Sequence, residues 1–113
     1  MHELSLCNSI FRIVDRAAEG RPVSVVNLQV GQLRQVVPDT LVFCWSMVSE
    51  ATPLSGSRLN IDSVPGRLMC GSCGSETTVV EALVLTCASC SGSNVTVVAG
   101  EEFLLTSLEL MEA

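Results

Sequence analysis

Two C-x-x-C pairs, Cys70-Gly71-Ser72-Cys73 and Cys87-Ala88-Ser89-Cys90, stand thirteen residues apart and limit what this chain can fold into. Tetrahedral Zn(II) takes four soft thiolates at about 2.3 Å, and one C-x-x-C turn puts two of them on one side of the ion. Two such turns complete the coordination sphere. Gly74 after the first pair and Gly92 two residues after the second supply the backbone freedom that tight turns need. Residues 77–80 and 82–85 are expected to form a short hairpin between the pairs. The spacing therefore predicts a structural four-cysteine zinc site on Cys70, Cys73, Cys87 and Cys90. Four thiolates leave no open position, which argues against a catalytic zinc. The module is too small to bury a core, so the ion supplies much of its folding energy. A redox dithiol would show a single C-x-x-C near a βαβ pattern, and iron–sulfur clusters use other spacings.

Around the module the periodicity changes from helix to strand and back. Over residues 4–19, Leu4, Leu6, Cys7, Ile10, Phe11, Ile13, Val14, Ala17 and Ala18 occupy one half of a helical wheel, and Gly20 suits the position just past its end. Val26, Leu28 and Val30 alternate with Asn27 and Gln29 as in a half-buried strand, and Gly31 marks a bulge or a strand end. Pro38 and Asp39 suit the first turn of a second helix, which runs through Leu41, Phe43, Cys44, Trp45, Met47 and Val48 and stops before Pro53. Its apolar residues occur nearly all round, so it is expected to be largely buried, with Cys7 and Cys44 as core residues and Trp45 as a packing anchor. Strands follow at 58–62, 95–98 and 103–110. The order predicts an α+β fold: two helices packed on a small, mostly antiparallel or mixed three-stranded sheet, with an inserted four-cysteine zinc-ribbon module. The expected division is 1–69, completed by the strand at 100–113, and a zinc-binding module at 70–99.

Charge and residue types exclude several functions. Twelve acidic residues face six arginines and no lysine, for a net charge of −6, and no base follows Arg67. Phosphate backbones are bound through cations, so nucleic acid is not an expected partner. No apolar run approaches the roughly 20 residues of a membrane span, and the start lacks the basic segment of a secretion signal. A cytoplasmic protein is expected, in which six cysteines point to metal before disulfides. With one histidine and no lysine or tyrosine, and no phosphate-binding loop or activated nucleophile, the chain does not read as an enzyme. That histidine is His2. Alone, it reads as a solvated terminal residue.

Four features in order resemble the hydrogenase nickel-incorporation proteins of the HypA/HybF type, over nearly the whole chain. Met1-His2-Glu3 leads directly into the amphipathic helix. Gly31-Gln32-Leu33 is followed by Val36-Val37-Pro38-Asp39-Thr40-Leu41 and Phe43-Cys44-Trp45. The paired C-x-x-C motifs come next, and Gly100-Glu101-Glu102-Phe103-Leu104-Leu105-Thr106-Ser107-Leu108-Glu109 closes the chain. The resemblance implies a metallochaperone that binds Ni(II) at Met1, His2 and Glu3, keeps structural Zn(II) on the cysteines, and serves [NiFe] hydrogenase maturation. It further implies the GTPase HypB and the hydrogenase large-subunit precursor as partners; a homodimer stays open.

The residues themselves agree with that nickel site. Histidine at position 2 is large enough to keep methionine aminopeptidase from removing Met1. The α-amine, the backbone amides of His2 or Glu3 and the imidazole can then chelate one ion in a plane, which suits Ni(II) and also Cu(II). Glu3 either adds a carboxylate or orients the imidazole. Asp39 reads equally as a nearby ligand and as a residue favoured by the helix dipole. In one respect the chain departs from many zinc ribbons: residues 74–86 hold no aromatic or basic side chain. The competing reading is a zinc-ribbon interaction module of the transcription or translation machinery, with His2 incidental.

Overall fold

Helix α1 (His2–Ala18) begins two residues earlier than its apolar periodicity requires and buries Cys7, Ile10, Val14 and Ala18 at three- and four-residue spacing. It ends where Glu19 and Gly20 both take left-handed backbone angles, φ +52° and +79°. Arg21 closes that end by donating from Nε to the Ala18 carbonyl at 2.8 Å and from Nη2 to the Ala17 carbonyl at 3.3 Å. The computed structural model describes residues 2–80 and 84–111.

The chain divides into two compact units. The first comprises Met1–Leu28, Val36–Asp62 and Leu104–Ala113, and the second Gln29–Gln35 and Ser63–Phe103. The cysteine module thus clusters with residues 29–35, 63–69 and 100–103 as well as with its own 70–99.

In the first unit, α1 packs against α2 (Pro38–Ser49), which has proline in its first turn and Asp39 beside the positive end of its dipole. Cys7, Ile10, Val14, Leu41, Cys44 and Trp45 join Val23, Val26 and Leu28 of strand β1 (Val23–Gly31) in the core. Each large side chain so buried contributes about 1.5–3 kcal/mol. Trp45 is the anchor its position predicts. Its ring centroid lies 6.3 Å from that of Phe11, tilted by 48°. Its Nε1–H donates to Ser57 Oγ at 3.0 Å, and Ser57 Oγ donates on to the Leu54 carbonyl at 2.6 Å, so the buried indole leaves no donor unpaired.

One expectation fails here. Helix α2 is not buried all round: Leu41, Cys44, Trp45 and Ser49 are buried, while Val42, Phe43 and Met47 are exposed. A unit this small covers one side of the helix and has no second layer for the other.

Strand β1 is the centre of a three-stranded sheet, between β2 (Arg58–Val64) and β6 (Phe103–Leu110). The Met111 amide donates to the Pro22 carbonyl at 3.0 Å and the Gly31 amide to the Glu102 carbonyl at 2.7 Å, so β1 and β6 run in opposite directions. On the solvent side Asn27 crosses the sheet. It accepts from Asn60 Nδ2 at 2.9 Å and donates to Ser107 Oγ at 3.0 Å and Glu109 Oε2 at 3.1 Å.

The second unit holds the other sheet, in which β3 (Arg67–Cys70) lies between β4 (Glu76–Thr78) and β5 (Val95–Ala99), antiparallel to both. The hairpin expected between the cysteine pairs is replaced by this pairing. Residues 76–78 fold back on β3, because the first cysteine turn reverses the chain directly after that strand. Val84 and Leu85 lie outside any strand, and Ala82 and Leu83 lie outside the described residues. Three glycines pack main chain against main chain beside this sheet. A Cβ on Gly31 would lie 2.0 Å from the Gly100 carbonyl oxygen, and one on Gly100 would lie 2.5 Å from the Gly66 Cα. Gly31 ends its strand at φ −74°, an ordinary extended angle, so space rather than conformation requires glycine there. No helix among the described residues is long and apolar enough to cross a membrane.

Candidate functional site

The two cysteine turns are built alike. In the first, the Gly74 amide donates to the Cys70 carbonyl at 3.0 Å and the Cys70 amide to the Ser75 carbonyl at 2.9 Å. In the second, the Ser91 amide donates to the Cys87 carbonyl and the Cys87 amide to the Gly92 carbonyl, both at 2.9 Å. The fourth residue after the opening cysteine must turn left-handed in each: Gly74 at φ +77° and Ser91 at φ +61°. Gly92 is therefore not the residue that supplies backbone freedom. Its reason for lacking a side chain is spatial, since a Cβ there would lie 3.2 Å from Cys90 Sγ.

This geometry brings Cys70, Cys73, Cys87 and Cys90 together, with all four sulfurs within 4.8 Å of one another. Cys70 Sγ lies 3.7 Å from Cys90 Sγ, and Cys73 Sγ lies 3.5 Å from Cys87 Sγ. Four sulfurs at about 2.3 Å from a tetrahedral ion would stand about 3.8 Å apart, so the donor set fits Zn(II). The opening cysteine of each turn is buried and the closing one exposed.

Main-chain donors prepare the thiolates. The Cys73 and Ser72 amides each lie 3.4 Å from Cys70 Sγ and hold its pKa down. The Cys90 and Ser89 amides do the same for Cys87, and the Ser75 hydroxyl and amide for Cys73. At Cys90 the Gly92 amide pulls down, but the sulfurs of Cys70, Cys87 and Cys73 outweigh it and push the thiol up to about 11. The last proton is thus retained by hydrogen bonding among the four sulfurs, a role that a divalent cation takes over. The sequence pointed to the four cysteines but not to these amides, which appear only when the turns close.

The N-terminal candidates are arranged differently. His2 is exposed at the first residue of α1, and Met1 lies outside the described residues. Glu3 Oε2 accepts from the Val37 amide at 3.2 Å. That bond, then the amide of Glu3 itself and the nearby imidazole, hold the Glu3 carboxyl below its ordinary range. Asp39 is exposed in the first turn of α2, two residues beyond Val37. Among the described residues, His2, Glu3 and Asp39 do not gather three side-chain donors as the cysteines do. Val37 was not a candidate from sequence, because a main-chain amide carries no residue signature.

Comparison with known proteins agrees with this picture over the full length. Residues 1–110 match the family described as "Hydrogenase/urease nickel incorporation, metallochaperone, hypA". The chain is 41% identical over 110 residues to a hydrogenase maturation factor HypA of Geobacter metallireducens, covering 97% of this chain and 99% of that one. It is 39% identical, with the same coverage, to the factor of that name from Geobacter sulfurreducens. In fold it resembles a solution structure of a HypA protein (TM-score 0.68, 23% identity, 98% of this chain and 97% of that one). It also resembles a solution structure of the Ni metallochaperone HypA from Helicobacter pylori (TM-score 0.66, 22% identity, 98% of each chain). With one family model spanning both the N-terminal candidates and the four-cysteine cluster, the chain belongs to the HypA family of nickel metallochaperones for hydrogenase maturation.

Proposed function

We propose that this protein is a non-enzymatic carrier that binds Ni(II) through Met1, His2 and Glu3 and delivers it to a [NiFe] hydrogenase precursor. Zn(II), held by Cys70, Cys73, Cys87 and Cys90, serves as a structural cross-link. Residues 1–69 with 100–113 then do the nickel work and 70–99 the zinc work, in the cytoplasm, with the GTPase HypB as partner. The observation that carries the reading is the place of His2, exposed at the head of α1. The first amides of a helix have no carbonyl four residues back, so an amide nitrogen there is free to lose its proton to a metal without breaking the helix.

With Met1 as first residue, the α-amine, a deprotonated amide and the His2 imidazole give the planar nitrogen set that Ni(II) prefers. Glu3, whose carboxylate accepts from the Val37 amide, can add an oxygen donor to that set. A site open to solvent exchanges its ion readily, which delivery requires.

Calorimetry tests the assignment. Zinc-loaded protein with its native terminus is expected to take about one Ni(II) per chain. His2→Ala, or an extension ahead of Met1, abolishes that binding and leaves fold and zinc intact. Undiminished nickel binding by His2→Ala would show the site to be elsewhere. Serine in place of any one of the four cysteines is expected to cost stoichiometric zinc; full retention by all four variants rules out the four-cysteine site.

A further inference from the structure

The face of α2 that the core leaves uncovered is apolar where a solvated helix would be polar. Val42, Phe43 and Met47 are 42%, 62% and 48% exposed. Together with the exposed Asp39, Ser46 and Glu50 they form one stripe at three- and four-residue spacing. Contiguous exposed apolar side chains on a small protein mark an interaction site. The stripe has an acid at each end, Asp39 in the first turn and Glu50 at the C-cap. No lysine or arginine falls between Arg34 and Arg58 to neutralise them.

We propose that this stripe docks an amphipathic helix of a partner protein whose apolar face is bracketed by lysines or arginines. Charge decides the occupant. A second copy laid stripe against stripe brings acid onto acid in either direction: Asp39 meets Asp39 in parallel and Glu50 in antiparallel. Like charges so placed oppose association. The cationic stretch of the first unit, Arg12, Ile13 and Arg16 on α1, offers a second copy only one exposed apolar side chain to cover three. A foreign helix of three turns spans the distance from Asp39 to Glu50, about 16 Å, and can pair a cation with each. The head of the stripe adjoins Val37, whose amide binds the Glu3 carboxylate. A helix docked there ends beside His2 and Glu3, so the surface would serve metal hand-off. That role rests on the nickel reading above; the docking itself does not.

The test uses a synthetic helical peptide with leucines at i, i+3, i+4 and i+7 and two lysines at each end, titrated into zinc-loaded, isotope-labelled protein. Amide shifts are expected to concentrate in residues 37–50. Binding is expected to weaken at least tenfold for the same peptide with glutamates at its ends, and equally for Phe43→Ser. Phe43 is exposed, so unchanged Trp45 emission and unchanged zinc and nickel stoichiometry identify a folded variant. A lysine peptide that does not bind, binds no better than the glutamate peptide, binds Phe43→Ser as tightly, or shifts amides elsewhere overturns the proposal. So does a wild-type dimer on size exclusion that Phe43→Ser abolishes, because a second copy then covers the stripe. Peptide binding that survives in His2→Ala protein lacking nickel supports the docking independently of the nickel site.

Discussion

The carboxylate of Glu3 and the main-chain amide of Val37 meet at 3.2 Å, which ties the first turn of α1 to the residue that caps α2. The acceptor does not need its charge to make this bond, but it does need its oxygen. Glu3→Ala is therefore expected to speed hydrogen exchange at the Val37 amide and to weaken Ni(II) binding, with zinc content unchanged. Glu3→Gln keeps an acceptor and most of the exchange protection. Equal exchange rates at Val37 in the three proteins would show that the tie does not form in solution.

Ser91 sits at φ +61° in a turn whose counterpart in the first cysteine pair is glycine. A side chain in that region costs about 1–2 kcal/mol, partly recovered through the stiffer unfolded chain. Ser91→Gly is expected to stabilise the cysteine module by about 0.5–1 kcal/mol, read as slower loss of zinc to a chelator. Gly74→Ala is expected to do the reverse. A faster release from Ser91→Gly would mean that the hydroxyl contributes something the turn geometry does not show.

Two glycines separate space from conformation. A Cβ on Gly31 meets a carbonyl oxygen at 2.0 Å and must displace main chain, whereas Gly56, at φ +87°, has nothing within 4 Å. Gly31→Ala is expected to cost about 3 kcal/mol or more, and Gly56→Ala about 1–2 kcal/mol. Urea unfolding of the two variants gives the comparison, and equal losses would remove the distinction.

Burial pushes the Cys7 thiol up to about 12 from its ordinary 9.0, with Cys44 and Glu3 adding to the shift, while its Sγ donates to the Leu41 carbonyl at 3.3 Å. The folded state then holds this proton when the unfolded chain has lost it. Its contribution to stability is complete below pH 9 and declines as the pH rises from there toward 12. Unfolding between pH 8 and 10.5 is expected to show a steeper fall for wild type than for Cys7→Ala, by up to about 1.4 kcal/mol per pH unit. Parallel curves would place the titration elsewhere. Iodoacetamide at pH 8 is expected to spare Cys7 in the folded protein.

The four cysteines were legible in the sequence because ligand spacing is a local constraint: each turn positions two sulfurs with its own hydrogen bonds. The helices were legible through period, to within two residues at the start of α1 and one at the end of α2. The burial of α2 was not. Composition around a helix records where apolar atoms are, not whether anything covers them, and Phe43 carries the same letter inside or outside a core. The pairing of residues 76–78 with β3 is not legible, because the spacing does not show that the chain reverses at the first cysteine turn rather than beyond it. Gly92 reads as the flexible residue of its turn although Ser91 holds the left-handed angle, since glycine advertises conformational freedom even where its use is small size.

The division of the chain also limits how this protein can be rearranged. The second unit is made from two stretches, Gln29–Gln35 and Ser63–Phe103, so four peptide links join it to the first. A single cut at one of them leaves each stretch of the second unit still joined to some part of the first. The cysteine turns cannot be exchanged between relatives as one cassette, since recombination at 62/63 and 103/104 leaves Gly31 behind while taking the Gly100 carbonyl it packs on. The glycines at 31, 66 and 100 therefore have to be inherited together.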